Sequence, residues 1–313
     1  GAAGGGGILK TVEAVRDSSE EELLIETEKR LESFIRNGCA TVEIKSGYGL
    51  DTENELKMLR VVGRLRENSG IEIVPTFLAH VIPREYGERR GEYIGIITRE
   101  TLPEISRLGL AEFCDVFLDR AAFSYEEAKT ILSRARDLGF KLKIHANQFE
   151  NNRGGLLAVE LECASAGHLN HTSEEEIKAL AEKGVSAVLF PGCFVSKGDS
   201  GAPPVRKLLE TGVNLAVSTD YNPGSSTTRN VALMGTLAMS LWGMTYKEVF
   251  RAITAGAARA LQRSEVTGRL EAGYRADIAI FDCGGIEEVF YDYGTFFCAM
   301  LIAGSRIFKF FDQ

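Results

Sequence analysis

The chain has 313 residues, 44% of them hydrophobic, enough for one large core with an appendage. Its formal net charge is −8 and no basic patch is visible, which argues against nucleic acid as a partner. The longest apolar runs fall far short of the roughly 20 residues of a membrane-spanning helix, so no membrane role is expected either.

The opening GAAGGGGILK has no basic n-region and no apolar h-region, so it does not read as a signal peptide. Six cysteines are scattered without a C-x-x-C spacing, several in apolar strand-like runs, where the thiol is usually a small buried hydrophobe. A cytoplasmic, reduced protein is expected.

In chain order, Ser19 to Gly38 reads as a helix with a Ser N-cap, acids in its first turn and a C-terminal Gly. CATVEIKSG follows as a strand, then DTENELKMLRVVGRLREN as a helix capped by Asp51 or Thr52. IEIVPTFLAH and CDVFLD read as strands on either side of the helix ETLPEISRLG. SYEEAKTILSRARDLG is a helix between Ser124 and Gly139, and KLKIHA is a strand with period-two alternation. NRGGLLAVELE, SEEEIKALAEKG and PPVRKLLETG read as helices between the strands CASAGH, SAVLFPG and NLAVSTD. Two helices, NVALMGTLAMSLWG and YKEVFRAITAGAARALQ, close the series.

Seven strands, each followed by a helix, imply a parallel α/β sheet. The expected fold is a (β/α)8 TIM-type barrel whose first strand belongs just upstream of the residues given. A doubly wound open sheet is the alternative, but no G-x-G-x-x-G follows a strand. The barrel is expected over residues 1–262. From 263 to 313 the texture changes to short antiparallel strands with glycine turns, a small β appendage.

Barrel enzymes carry their chemistry at the C-terminal ends of the strands. Here those ends hold Lys45 and Tyr48, His80, His145, His168 and Asp220. The chain has only four histidines, and three fall at strand ends, with His171 just beyond the last of them. A lone histidine there is more often a hydrogen-bonded structural residue than a ligand; three in the same geometric position make chance a poor account. Histidine with aspartate suits a divalent metal such as zinc or iron(II), which brings the pKa of bound water to about 7. PGSS, Pro223 to Ser226, is no nucleophile elbow. It reads equally as a tight loop or as a cradle of backbone N–H groups for a carboxylate. SEEE, Ser173 to Glu176, is a charged helix start.

Several of these stretches carry a resemblance. VEIKSGYGLDTENELKMLRV, PTFLAHVIPREY, CDVF, KIHANQ, AVLFPGCF and STDYNPGSS resemble the imidazolonepropionase family of the amidohydrolase superfamily. GRLEAGYRADIAIFD resembles the β-sandwich return common to that superfamily, which makes 263–313 the C-terminal part of a β-sandwich domain. The resemblance implies one divalent metal, zinc or iron, held by a His-x-His pair on the first strand together with His145 and Asp220. It implies catalytic roles for His168 and Asp220, and substrate binding by Tyr48, His80, Gln148, Asn222 and Gly224. The implied reaction is hydrolysis of the ring amide of 4-imidazolone-5-propanoate to N-formimidoyl-L-glutamate, by a homodimer acting on a small molecule. Another mononuclear amidohydrolase, such as a cyclic amidine deaminase, and a non-catalytic barrel binding a small heterocycle are the competing readings.

Three departures from the family pattern stand out. HANQ has no acid after the histidine, so Asn147 and Gln148 can orient a substrate or water but cannot shuttle a proton. TFLAH is one residue shorter than the usual TFLGAH, and Gly167 stands where an acid usually precedes the histidine of CASAGH.

Overall fold

The structure, a computed structural model, describes residues 6–197, 201–295 and 298–310. Seven parallel strands form one sheet in sequence order: β1 Thr41–Lys45, β2 Glu72–Ala79, β3 Phe113–Phe117, β4 Lys141–Ala146, β5 Ser165–His168, β6 Ser186–Leu189 and β7 Leu215–Val217. Each strand pairs with its sequence neighbour, as in Thr41↔Glu72 and His145↔Gly167, and helices make the crossovers. This is the sheet of a (β/α)8 barrel with seven of its eight strands. Among the described residues no ladder joins β1 to β7. The interval between them opens into a cavity of about 1940 Å³, bounded by Val42 and Ile44 of β1, Ala216 and Val217 of β7, and Leu261.

Alternation on β4 shows how the sheet places its chemistry. Leu142, Ile144 and Ala146 pack into the core shared with the surrounding helices, including Ile131 and Leu157. Lys143 and His145 face the cavity. The helices start where the sequence signals them: Ser19, Ser124, Ser173 and Thr245 each form a capping box with a glutamate three residues on.

Several elements differ from expectation. Helices at Gly6–Asp17, Arg90–Ile96, Pro191–Lys197 and Ile286–Tyr291 add to the predicted set. Pro191 does not end a strand; it opens a helix, because a first-turn proline gives up no hydrogen bond. The final predicted helix is two, Tyr246–Ile253 and Ala255–Ala260, broken at Thr254 (φ −118°, ψ −97°). Gly256 lies so close to β7 that a Cβ there would stand 2.1 Å from the Leu215 carbonyl oxygen.

The C-terminal segment forms a separate antiparallel sheet of β8 Asp277–Phe281, β9 Cys298–Ala303 and β10 Arg306–Lys309. Leu301 and Ala303 share a core with Leu24, Leu31 and Ile35 of helix Glu20–Arg36. Arg263 donates to Glu72 at 2.6 Å and to Glu112 at 2.5 Å, tying this segment to the bottom of β2 and β3.

Candidate active site

A continuous run of rings crosses the barrel mouth. Tyr48 and His80 meet edge to face at 5.0 Å between centroids, and Phe117 lies 6.1 Å from both His80 and His145. His145 and His168 are 5.4 Å apart, and Phe190 covers both. These residues line the cavity together with Gln148, Asp220, Asn222 and Gly224, so every site residue expected from sequence borders one space. His171 is not among the lining residues.

Each histidine is held by what it touches. His145 Nδ1 lies 3.0 Å from Asp115 Oδ1, and Asp115 is kept ionised: burial pushes its carboxyl up, but His145 and Lys45 outweigh that and hold it well below the usual range. A carboxylate only accepts, so Nδ1 carries the proton of this bond, which leaves Nε2 as the nitrogen turned away from Asp115. His80 Nδ1 lies 3.1 Å from the Gly47 carbonyl, which fixes the same tautomer. Burial lowers the His80 pKa to about 4 and that of His168 well below its ordinary value, so both rings are neutral near pH 7.

Asp220 follows β7 with φ 44°, and His168 ends β5 with φ 69°, left-handed conformations that non-glycine residues rarely adopt. Backbone strain of this kind persists where surrounding structure enforces it, often at functional sites. Asp220 Oδ2 accepts from Cys193 Sγ at 2.8 Å and from Asn222 Nδ2 at 3.1 Å. Burial raises its pKa, and among the described residues no lysine or arginine forms an ion pair with it.

Beneath the mouth the barrel interior is charged. Lys143 donates to Glu43 at 2.7 Å, Lys45 lies 3.2 Å from Glu43, and Lys45 donates to Asp115 at 2.5 Å. Against the upward push of burial, Lys143 and Lys45 bring Glu43 down to about 2. The chain of ion pairs ends at His145 and so anchors it from below.

Some residues behave otherwise than the sequence suggested. Asn147 is fully buried and donates to Thr172 and Glu176 while accepting from Asn152 and Gly154, so it builds the loop after β4 and does not face the cavity. Asn222 is turned into its own loop: its Oδ1 accepts from the N–H groups of Gly224 and Ser225, both at 2.8 Å. These two N–H groups of PGSS are thus taken by an amide oxygen of the chain itself. Asp115, Cys193 and Glu55 escaped sequence reading. A single acid inside the apolar strand FCDVF was the one available signal for Asp115.

His145 Nε2 and Asp220 fit a divalent metal. One is an imidazole whose other nitrogen is bound to a carboxylate, the usual outer support of a metal-bound histidine. The other is a carboxylate without a cationic partner among the described residues. These are two donors, and among the described residues no group of three or more His, Cys, Asp or Glu is placed to hold a metal.

Residues 119–303 match the amidohydrolase family. Among solved structures, a triazine hydrolase variant superposes with a TM-score of 0.75 at 16% identity, over 93% of this chain and 73% of that one. A zinc-bound adenosine deaminase from Xanthomonas campestris gives 0.70 at 19% identity, over 93% and 70%. At such identities these show the barrel fold alone. Sequence relatives are more specific. The imidazolonepropionase of Caldanaerobacter subterraneus subsp. tengcongensis is 43% identical over 293 residues, 93% of this chain and 70% of that protein. That of Geobacillus thermodenitrificans is 43% identical over 304 residues, 97% of this chain and 72% of that protein. With identity of this order sustained across nearly the whole chain, on an amidohydrolase barrel, the chain belongs to the imidazolonepropionase family.

Proposed function

We propose that this protein opens the ring amide of 4-imidazolone-5-propanoate by hydrolysis to N-formimidoyl-L-glutamate, a step of histidine degradation. The observation that carries the reading is the gathering of Tyr48, His80, His145, His168 and Asp220 around one cavity, in a chain of this family. The metal is zinc or iron, held by His145 Nε2 and Asp220. The resemblance adds a His-x-His pair on a strand ahead of β1, a pair these residues do not include. When bound, the ion supplies Lewis acidity and an acidified water near neutral pH.

The chain's own residues do the rest. Tyr48 and His80 provide a flat wall and directional polar groups for the planar ring. His168, neutral and buried, keeps one N–H to donate toward the oxygen of the carbonyl under attack. Asp220, with its raised pKa, takes a proton from water and returns it to the leaving ring nitrogen. Gln148 orients the ring from the β4 side. The propionate carboxylate takes the place of Asn222 Oδ1 on the N–H groups of Gly224 and Ser225. The barrel runs over 1–262 and 263–313 is the C-terminal part of a β-sandwich domain, a division supported by the change from parallel to antiparallel sheet. The resemblance also carries a homodimer and a cytoplasmic setting with it.

The test is to incubate the full-length protein with zinc or iron(II) and 4-imidazolone-5-propanoate, following N-formimidoyl-L-glutamate by mass spectrometry. Product is expected from the parent and none from Asp220→Ala. A parent that deaminates cyclic amidines and leaves this substrate intact would overturn the reading.

A further inference from the structure

Glu55 lies in the first turn of helix Thr52–Asn68, is only 3% exposed, and does not line the cavity. Its carboxylate points back into the loop that follows β1. Oε2 accepts from Gly47 N at 2.8 Å; Oε1 accepts from Gly49 N at 2.8 Å and from Leu50 N at 2.9 Å. Three backbone N–H groups of one short loop thus converge on one buried carboxylate. Such charge-assisted bonds are the strong ones, and here they offset part of the cost of burial, which still raises the Glu55 pKa.

The loop needs this restraint. Gly47 has φ 111° and Leu50 φ 58°, so two of its residues sit in left-handed backbone. A Cβ on Gly49 would stand 2.6 Å from the backbone of Asn54 and of Glu55 itself, so loop and helix are in direct backbone contact. Gly47 links the anion to the site: its N–H goes to Glu55 while its carbonyl receives His80 Nδ1. Tyr48 lies between the bonded residues Gly47 and Gly49 and meets the His80 ring edge to face.

We propose that Glu55 is a positioning residue for the pair Tyr48 and His80. Its carboxylate fixes the loop that aims the tyrosine and presents the carbonyl that sets the histidine's tautomer. The inference rests on the reading above in that those two rings hold the substrate's ring. Glu55 itself touches neither substrate nor metal.

The experiment compares the parent protein with Glu55→Gln, Tyr48→Phe and the double variant. Glutamine keeps one oxygen for Gly49 and Leu50 but sets an NH2 group against the Gly47 N–H, so one donor is stranded with little change of shape. Three measurements are made: amide hydrogen exchange at Gly47, Gly49 and Leu50; the 15N signals of the His80 ring; and affinity for imidazole-4-propanoate, a non-hydrolysable probe. Glu55→Gln is expected to speed exchange at Gly47, to shift His80 away from a single Nδ1–H tautomer, and to weaken the probe about tenfold. The double variant should bind little worse than the weaker single, since both act through one ring pair. Faster exchange with unchanged His80 signals and unchanged affinity would leave Glu55 with a purely structural role and overturn the proposal. A parent that does not bind the probe overturns the substrate reading instead, and the His80 signals then decide on Glu55 alone.

Discussion

His145 and Asp115 are 30 positions apart in the chain and meet at 3.0 Å across neighbouring strands. The register pairs His145 with Phe117, so the histidine reaches one inward position down the adjacent strand to find its acid. Because Lys45 holds the second oxygen of Asp115, the acid cannot swing away. Outer-shell partners of this kind typically tune metal affinity by 10–100-fold. Asp115→Ala should therefore weaken zinc binding by about that factor, measured by competition with a chelator. Asp115→Asn, which keeps an acceptor, should lose less. Equal losses in the two variants would mean that the acid acts through its charge and not by fixing the ring.

Acid stability should report on the barrel interior. Glu43 has a folded pKa of about 2 against an ordinary 4.5, owing to Lys143 and Lys45 overcoming burial. A depressed carboxylate pKa means that the unfolded chain binds protons first as pH falls. Its contribution is thus fully present above about pH 4.5 and is lost progressively on the way down through about 2. Thermal midpoints measured across that window should fall steeply for the parent. Glu43→Gln should start lower, by about 3–5 kcal/mol because it strands Lys143, and then vary less with pH. Parallel pH profiles would show that Glu43 does not govern this limb.

Gly256→Ala should be costly for a methyl group. The new Cβ would stand 2.1 Å from the Leu215 carbonyl oxygen of β7, and backbone cannot step aside as a flexible side chain can. A loss of about 1–3 kcal/mol, at the upper end of overpacking, is expected from urea unfolding. Gly212→Ala, with open space around the site but φ 85°, separates conformational strain from collision.

The substrate's tail provides a fourth check. If its carboxylate replaces Asn222 Oδ1 on the Gly224 and Ser225 N–H groups, an analogue without it leaves those groups to the protein's own amide. Such an analogue should lose on the order of tenfold or more in kcat/KM. Equal turnover of the tail-less ring would remove the loop from substrate recognition.

The sequence made the barrel and the strand-end residues readable for one reason: period-two strands between capped helices fix which positions face inward, and the last inward position of each strand faces the mouth. His145 follows from that rule; His80 and Asp220 come just after their strands, and His168 reaches the mouth through its left-handed turn at the end of β5. Asn147 and Asn222 did not, because an amide after a strand can point to ligand or fold back on its own loop, and only the surrounding N–H groups decide. Glu55 was hidden in a helix start, where first-turn acids are expected on dipole grounds alone. Its partners are in the preceding loop, and their spacing becomes meaningful only once Gly47 and Leu50 turn left-handed. Cys193 was read as a small apolar residue, yet from the helix that Pro191 starts its thiol reaches Asp220.

Strand order and the Arg263–Glu72 pair contrast near and far in the chain. Every strand of the parallel sheet pairs with the strand made just before it, so the sheet can grow in one direction as the chain is synthesised. Each step closes one helical crossover, a smaller loop than any pairing across the whole chain would close. The pairing of Arg263 with Glu72 spans 191 positions and needs a residue made after all seven strands. Together with its bond to Glu112, it makes the C-terminal segment a clasp on the starts of β2 and β3, holding two neighbouring strands from outside the sheet.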